Sequence, residues 1–200
     1  MDYYSNLITE KSFKILQDLR RKYKFILIGG WAVFLYTHSL KSKDIDLIIE
    51  YEELEKLRGN FTLNKNDRLK KYEIIINEID IDLYLPFYSK IAIPVEEIKK
   101  YLTNLEGFSV PKPEILLILK QAAYIERAGS QKGEKDKIDI ISLLNLGLDL
   151  KFYKKTLKEY KREKYITELK NLLQTVIGVS ELGLNRFQYS KLKRKTLEQL

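Results

Sequence analysis

The feature that most constrains the fold is a short apolar run that ends in two glycines. Residues 24–28 have the apolar character of a buried strand, and Gly29-Gly30 follow directly. Residues 31–39 are again mostly apolar and predict a buried helix. Backbone N–H groups at a helix start face an anion, and glycine lets a phosphate approach without a Cβ in the way. This segment predicts a strand–turn–helix unit with a phosphate site at Gly29 and Gly30.

Two aspartates, Asp44 and Asp46, stand at the start of the next predicted strand, residues 45–50. Side chains two residues apart on a strand lie on the same face, so we expect these carboxylates to converge. Converging carboxylates repel each other unless a cation lies between them. Mg²⁺ takes one or two carboxylates together with substrate phosphates and waters. The pair therefore indicates a site for a divalent cation.

A later segment, residues 78–85, alternates strictly between apolar and polar side chains, with Asp80 and Asp82 on the polar face. If this face lies beside the strand of Asp44 and Asp46, three or more carboxylates meet. Two metal ions held there would clamp the attacking oxygen and the leaving phosphate oxygen of a transfer reaction. Each element alone has a simpler interpretation: a tight turn, a solvated strand end and a half-exposed strand. Their combination in this order is more specific.

These motifs resemble the signature of the nucleotidyltransferase superfamily, whose fold is that of DNA polymerase beta. The resemblance is carried by residues 26–49 and 79–86. It implies a mixed, twisted β-sheet flanked by helices. It also implies transfer of a nucleoside monophosphate from an NTP to a hydroxyl or phosphate acceptor, with release of pyrophosphate. Asp44, Asp46 and Asp82 would be the catalytic carboxylates that hold Mg²⁺ or Mn²⁺. Asp82 resembles the third carboxylate of the family better than Asp80, which would support the site.

The sequence departs from the family pattern just before the first aspartate. Lys41-Ser42 stands where the family often has arginine and threonine. The substitution keeps a cation and a hydroxyl group but loses the bidentate guanidinium. We therefore predict that Lys41 and Ser42 contact the nucleotide together with Gly29 and Gly30, with the Gly-Gly turn contributing backbone groups only.

A second, narrower resemblance lies downstream. Lys120, Asp136 and Asp139 stand in segments that resemble the later motifs of AbiEii-type toxin nucleotidyltransferases. The resemblance implies that Lys120 contacts the NTP phosphates and that Asp136 or Asp139 supports the site. It also implies tRNA as the acceptor and an antitoxin protein as a partner. Two simpler interpretations remain open: Lys120 as a surface charge of a helix, and Asp136 as a helix N-cap.

The order of the predicted elements, with strands early and helices late, is typical of an α+β protein. We predict a catalytic domain over residues 1–108 and a helical C-terminal lobe over residues 109–200. Residues 151–200 carry 13 Lys/Arg and 5 Asp/Glu, so the whole surplus of +8 charges lies there. Such a surplus is either a solvated helical face or a surface that binds a polyanion such as RNA.

Composition narrows the chemistry. Cysteine is absent and histidine occurs once, which excludes thiol nucleophiles and makes a zinc site held by thiolates or imidazoles implausible. No apolar run is long enough to cross a membrane, and no secretory leader is visible, so a cytoplasmic location is expected. Two other functions remain open. One is a catalytically inactive RNA- or partner-binding protein of the same fold, and the other is a phosphohydrolase that uses the same carboxylates.

Overall fold

The computed structural model describes residues 5–200, which form two compact units. The first unit ends at Lys112, and the second is Pro113–Leu200. Within the described residues, every strand lies in the first unit, and the second unit is helical. This arrangement confirms the predicted α+β class.

The first unit contains a five-stranded sheet, a two-stranded ribbon and four helices, all in its described part. Its elements are α1 (Asn6–Lys22), β1 (Ile26–Ile28), α2 (Gly29–Thr37), β2 (Ile45–Ile48), α3 (Tyr51–Arg58), β3 (Asn64–Asn66), β4 (Lys71–Ile76), β5 (Ile79–Tyr84), α4 (Val95–Ile98), a 3₁₀ turn (Lys99–Tyr101), β6 (Leu102–Leu105) and β7 (Phe108–Pro111).

The large sheet is mixed, with strand order β1-β2-β5-β4-β3. Strands β2 and β5 are parallel, and the other neighbouring pairs are antiparallel. The alternation predicted for residues 78–85 is present in β5, where Ile79, Ile81 and Leu83 are buried and the residues between them are exposed or half-buried. Strand β5 therefore has one apolar face in the core and one polar face, which carries Asp80 and Asp82.

A tight turn fixes the register between β4 and β5. Asn77 and Glu78 connect the two strands, and both have positive φ, 48° and 68°. Two-residue turns of this kind match the right-handed twist of a hairpin. With only two residues in the loop, Glu73 pairs with Asp82 and Ile75 pairs with Asp80.

Helix α2 is anchored from below by its first large side chain. Trp31 is 1% exposed, and its indole Nε1 donates a hydrogen bond to Ser12 Oγ of α1 at 2.9 Å. Burying an indole is favourable when its N–H group keeps a partner. This contact holds the start of α2 at the end of β1.

The second unit consists of α5 (Pro113–Arg127), α6 (Gln131–Asn145), α7 (Leu150–Glu159), α8 (Lys164–Thr175), a 3₁₀ turn (Ser180–Leu182) and α9 (Arg186–Gln199). The polar character of residues 129–135 predicts a loop followed by a helix from Asp136, but helix α6 begins earlier, at Gln131. The reason is an N-cap: Ser130 Oγ accepts a hydrogen bond from the Gly133 backbone N–H. Over residues 5–200, no helix is both long and apolar enough to span a membrane.

Candidate active site

The parallel pairing of β2 and β5 places Asp46 directly beside Asp82. The two residues are register partners, and Ile28 of β1 is the partner of Asp46 on its other side. Neighbouring strands lie about 4.8 Å apart, and partners in register present their side chains on the same face. The structure therefore brings together two of the three predicted catalytic carboxylates on the polar face of the sheet.

Position 29 needs glycine because the Asp46 carboxylate occupies the space where a Cβ would lie. Its φ is +69°, and a Cβ built on it would lie 2.0 Å from Asp46 Oδ2. The sequence predicts that this glycine leaves room for a phosphate, whereas the space beside its Cα is filled by the Asp46 carboxylate. Asp46 and the start of α2 are consequently one structural feature. A phosphate bound at this helix start would lie next to that carboxylate.

Asp82 has a cationic neighbour that the sequence analysis missed. Lys71 Nζ lies 2.6 Å from Asp82 Oδ2 and 3.0 Å from Glu73 Oε1. Asn66 Nδ2 donates a further hydrogen bond to Glu73 Oε1 at 2.9 Å. The hairpin register that pairs Glu73 with Asp82 follows from the two-residue turn. The sequence signal that could have revealed Glu73 is therefore the two-residue spacing between the apolar ends of β4 and β5.

Burial and charge act in opposite directions on this cluster. Burial, together with the negative charge of Asp46, raises the pKa of Asp82 to about 6, although Lys71 opposes the rise. Burial lowers the pKa of Lys71, but its contacts with Asp82 and Glu73 outweigh that effect and raise it. For Glu73, burial raises the pKa, but the hydrogen bonds from Lys71 and Asn66 outweigh burial, so the pKa of Glu73 is lowered. Asp82 is thus the carboxylate of this group that is costly to ionise.

The other predicted residues of the first unit lie close to β2 and β5 in the chain. Asp44 precedes β2 and is half-buried, with Lys43 Nζ 4.0 Å from its Oδ1. Ser42 is 5% exposed, whereas Lys41 is exposed. Asp80 is exposed on the same face of β5 as Asp82. The roles of these residues, like those of Asp46 and Asp82, stay predictions.

The donor set fits a hard divalent cation. Asp46 and Asp82 offer carboxylate oxygens, the ligand type of Mg²⁺, and that ion needs only one or two of them besides phosphates and waters. Across residues 5–200, no group of three or more Asp, Glu, His or Cys side chains is arranged to hold a metal ion. Asp46 and Asp82 would therefore hold it with help from substrate oxygens, and Asp44 stays the third predicted ligand.

In the second unit, Lys120 belongs to a buried charge network. Its Nζ lies 3.0 Å from Asp136 Oδ1 and 2.7 Å from Asp139 Oδ2. Lys135 Nζ is 3.1 Å from Asp139 Oδ2, and Arg127 Nη2 is 2.7 Å from Asp136 Oδ2. Both simpler interpretations are wrong, because Lys120 is 7% exposed and Asp136 lies inside α6. The predicted contact between Lys120 and NTP phosphates stays a prediction.

No protein-family model matches the sequence, and no curated protein matches it. Solved structures do. A presumed nucleotidyltransferase from H. pylori is 19% identical, with 98% of each chain covered and a TM-score of 0.49. An antigenic nucleotidyltransferase-like protein from Paracoccidioides brasiliensis is 18% identical, with 90% of this chain and 98% of that chain covered and a TM-score of 0.42.

The Megavirus polyadenylate synthase is 18% identical, with a TM-score of 0.47. The match covers 68% of this chain but only 31% of the viral enzyme. Identities of 18–19% are too low to transfer an activity or a substrate to this chain.

Proposed function

We propose that this protein is a metal-dependent nucleotidyltransferase that moves a nucleoside monophosphate from an NTP to an acceptor. The observation that carries the proposal is the juxtaposition of Asp46, Asp82 and the start of α2. Asp46 and Asp82 are register partners, and the Asp46 carboxylate packs against Gly29. This places paired carboxylates, which suit a divalent cation, beside backbone N–H groups, which suit a phosphate.

In the reaction, an oxygen of the acceptor attacks the α-phosphorus of the NTP. The bond from that phosphorus to the bridging oxygen breaks, and pyrophosphate leaves. Mg²⁺ or Mn²⁺, when bound, neutralises the charge of the phosphates and lowers the barrier to attack. Asp46 and Asp82 hold this cation, with Asp44 as the third predicted ligand. Gly29, Gly30, Lys41 and Ser42 seat the triphosphate, so the contribution of the protein is mainly positioning and charge neutralisation.

Asp82 also takes the proton that the acceptor hydroxyl loses. Its pKa of about 6 lies close to neutral pH, where a general base is effective. Lys120 serves as a further phosphate contact only if its ammonium leaves two buried aspartates.

We further propose RNA, and tRNA in particular, as the acceptor. The support is the surplus of +8 charges in residues 151–200, carried mainly by α7, α8 and α9. A phosphate backbone binds such a surface by releasing its counterions. An antitoxin partner goes with the toxin role. That role predicts growth arrest when the wild-type protein is expressed, relieved by Asp46→Ala.

The test of the enzyme proposal is transfer of label from each α-labelled NTP to bulk tRNA with Mg²⁺ or Mn²⁺. Asp46→Ala and Asp82→Asn should abolish transfer. Asp18→Asn is the matched control, because Asp18 pairs only with Arg21 on the surface of α1 in the contacts observed. Asp80→Asn tests the preference for Asp82 and should leave most activity. Transfer that is equal in wild type and Asp46→Ala, or absent from both, would contradict the proposal. Release of phosphate without transfer would indicate a phosphohydrolase.

One observation favours a second candidate, a nucleotidyltransferase fold without turnover that binds RNA or a protein partner. The Lys71 ammonium already neutralises Asp82 at 2.6 Å. A permanent ion pair there would exclude a metal ion from Asp82. Retained tRNA binding together with a complete absence of divalent-cation binding would identify this second function.

A further inference from the structure

Lys71 is held between two carboxylates on the polar face of the sheet. It is the first residue of β4, two residues before Glu73 and therefore on the same face, and Glu73 is the register partner of Asp82. Its side chain is 12% exposed, compared with 22% for Asp82 and 34% for Glu73. A largely buried ammonium needs partners, and Lys71 has two within 3.0 Å.

The described contacts of Lys71 leave a negative surplus. Asp82 and Glu73 carry two negative charges against the one positive charge of Lys71, and Asp46 is the register partner of Asp82. This surplus would attract a Mg²⁺ or Mn²⁺ ion held by Asp46 and Asp82. However, that cation and the Lys71 ammonium both seek the oxygens of Asp82. Two cations within a few ångströms repel each other strongly in a partly buried site.

Glu73 gives Lys71 a second position. It already contacts the ammonium through Oε1, and Asn66 Nδ2 donates a hydrogen bond to the same oxygen. The flexible four-carbon stem of lysine can shift its ammonium by a short distance without removing it from its remaining partner. Lys71 can therefore release Asp82 while keeping one ion pair.

We propose that Lys71 is a tethered counter-cation of the metal site, which neutralises Asp82 in the metal-free protein and transfers to Glu73 when a divalent cation binds. The proposal rests on the proposed function, since it takes Asp46 and Asp82 to be metal ligands. Lys71 and Glu73 are positioning residues in this scheme. They set how readily the site takes its metal ion, and the occupied site keeps one fixed positive charge beside Glu73.

The test is direct Mn²⁺ binding to the nucleotide-free protein, measured by the electron paramagnetic resonance signal of free Mn²⁺ at constant pH and salt. Lys71→Gln removes the competitor and should tighten Mn²⁺ binding about tenfold, the scale expected for losing one charge-assisted hydrogen bond. Glu73→Gln removes the second position of the ammonium and should weaken binding. Adding Asp82→Asn to Lys71→Gln should eliminate the gain.

The double variant Lys71→Gln/Glu73→Gln separates this scheme from simple charge effects. Loss of the Glu73 charge weakens cation binding in any background, because it removes a long-range attraction. In our scheme the loss is much smaller once Lys71 is gone, so the two substitutions are not additive. Lys11→Gln is the matched control, because Lys11 pairs with Glu78 at 2.8 Å on the surface, and it should not change binding.

The outcomes separate the two proposals. Unchanged or weaker Mn²⁺ binding in Lys71→Gln, with circular dichroism showing a folded protein, overturns the counter-cation role. If that variant does not fold, Lys71→Met, which also removes the ammonium, replaces it in both comparisons and should likewise tighten Mn²⁺ binding and reduce the effect of Glu73→Gln. Tighter binding in Lys71→Gln, together with no NMP transfer by wild type, would sustain the counter-cation role and reject the proposed reaction.

Discussion

Lysines meet aspartates in both units of the molecule, but the balance of charge differs. On the sheet, one ammonium contacts two carboxylates, those of Asp82 and Glu73, and Asp46 is the register partner of Asp82. Between α5 and α6, two ammonium groups and a guanidinium face two carboxylates, and all of these side chains except the half-exposed Arg127 are buried. The first cluster has a negative surplus and is partly open, which suits a cation. The second has a positive surplus and little exposure.

The difference teaches that a buried ion pair does not have one function. Where carboxylates outnumber cations at a half-open surface, the missing positive charge can come from a ligand. Where the charges are sealed in a helix interface, each partner mainly prevents the others from being buried alone. Four predictions follow from the two units, in order of expected effect.

The largest effect is expected at the centre of the helical network. Asp139 is 0% exposed, and Asp139→Ala would leave the ammonium groups of Lys120 and Lys135 without it. Breaking a buried pair by removing one partner costs about 3–5 kcal/mol, which urea unfolding at pH 7 would measure. The control Asp18→Ala alters a surface pair and should leave the free energy of unfolding nearly unchanged. A small loss for Asp139→Ala would show that water reaches the network.

Substitution of Asp82 is expected to raise stability at neutral pH, whereas substitution of Asp139 lowers it. The pKa of Asp82 is about 6 in the folded protein against an ordinary value of 3.8, so the folded state binds its proton more tightly than the unfolded state. Its contribution to stability is complete below about pH 3.8 and is lost as the pH rises through about 6, a change of up to about 3 kcal/mol. Asp82→Asn removes this pH dependence, so its free energy of unfolding should rise relative to that of wild type between pH 4 and pH 7. Parallel stability curves for the two proteins would refute the raised pKa.

A third comparison uses one glycine from each unit. Gly29 and Gly147 both have positive φ, +69° and +77°, but only Gly29 has a neighbour, Asp46, where a Cβ would lie. Gly147→Ala should cost about 1 kcal/mol for the left-handed backbone alone. Gly29→Ala should cost about 2 kcal/mol more, because the Asp46 carboxylate must move. Thermal unfolding of both variants measures the difference, and equal losses would mean that Asp46 shifts without strain.

The smallest effect is expected at an exposed pair. Lys11 Nζ contacts Glu78 at 2.8 Å, and the two side chains are 40% and 87% exposed. Exposed pairs contribute little because solvent and salt screen them. Lys11→Gln should therefore leave the melting temperature unchanged within error. A clear decrease in melting temperature would mean that solvent exposure does not determine how much each lysine–carboxylate pair stabilises this protein.

Much of the fold could be predicted from local patterns. The alternation of residues 78–85 predicted β5 and its polar face, and the apolar run before Gly29 predicted β1 and the start of α2. Strand β3, Asn64–Asn66, was missed because its three polar residues show no alternation and it is held at the edge by pairing with β4. The start of α6 was missed because its cap lies in a polar segment.

The sequence by itself determined which side chains share a strand face, where glycine permits an unusual backbone, and where the charge surplus lies. These properties depend on near neighbours, through backbone sterics and side-chain alternation. Only the tertiary structure decided that β2 lies parallel to β5, that Asp46 fills the space beside Gly29, and that Lys71 contacts Asp82. Strand order and buried ion pairs depend on contacts between distant parts of the chain, because they follow from which apolar faces can be buried together.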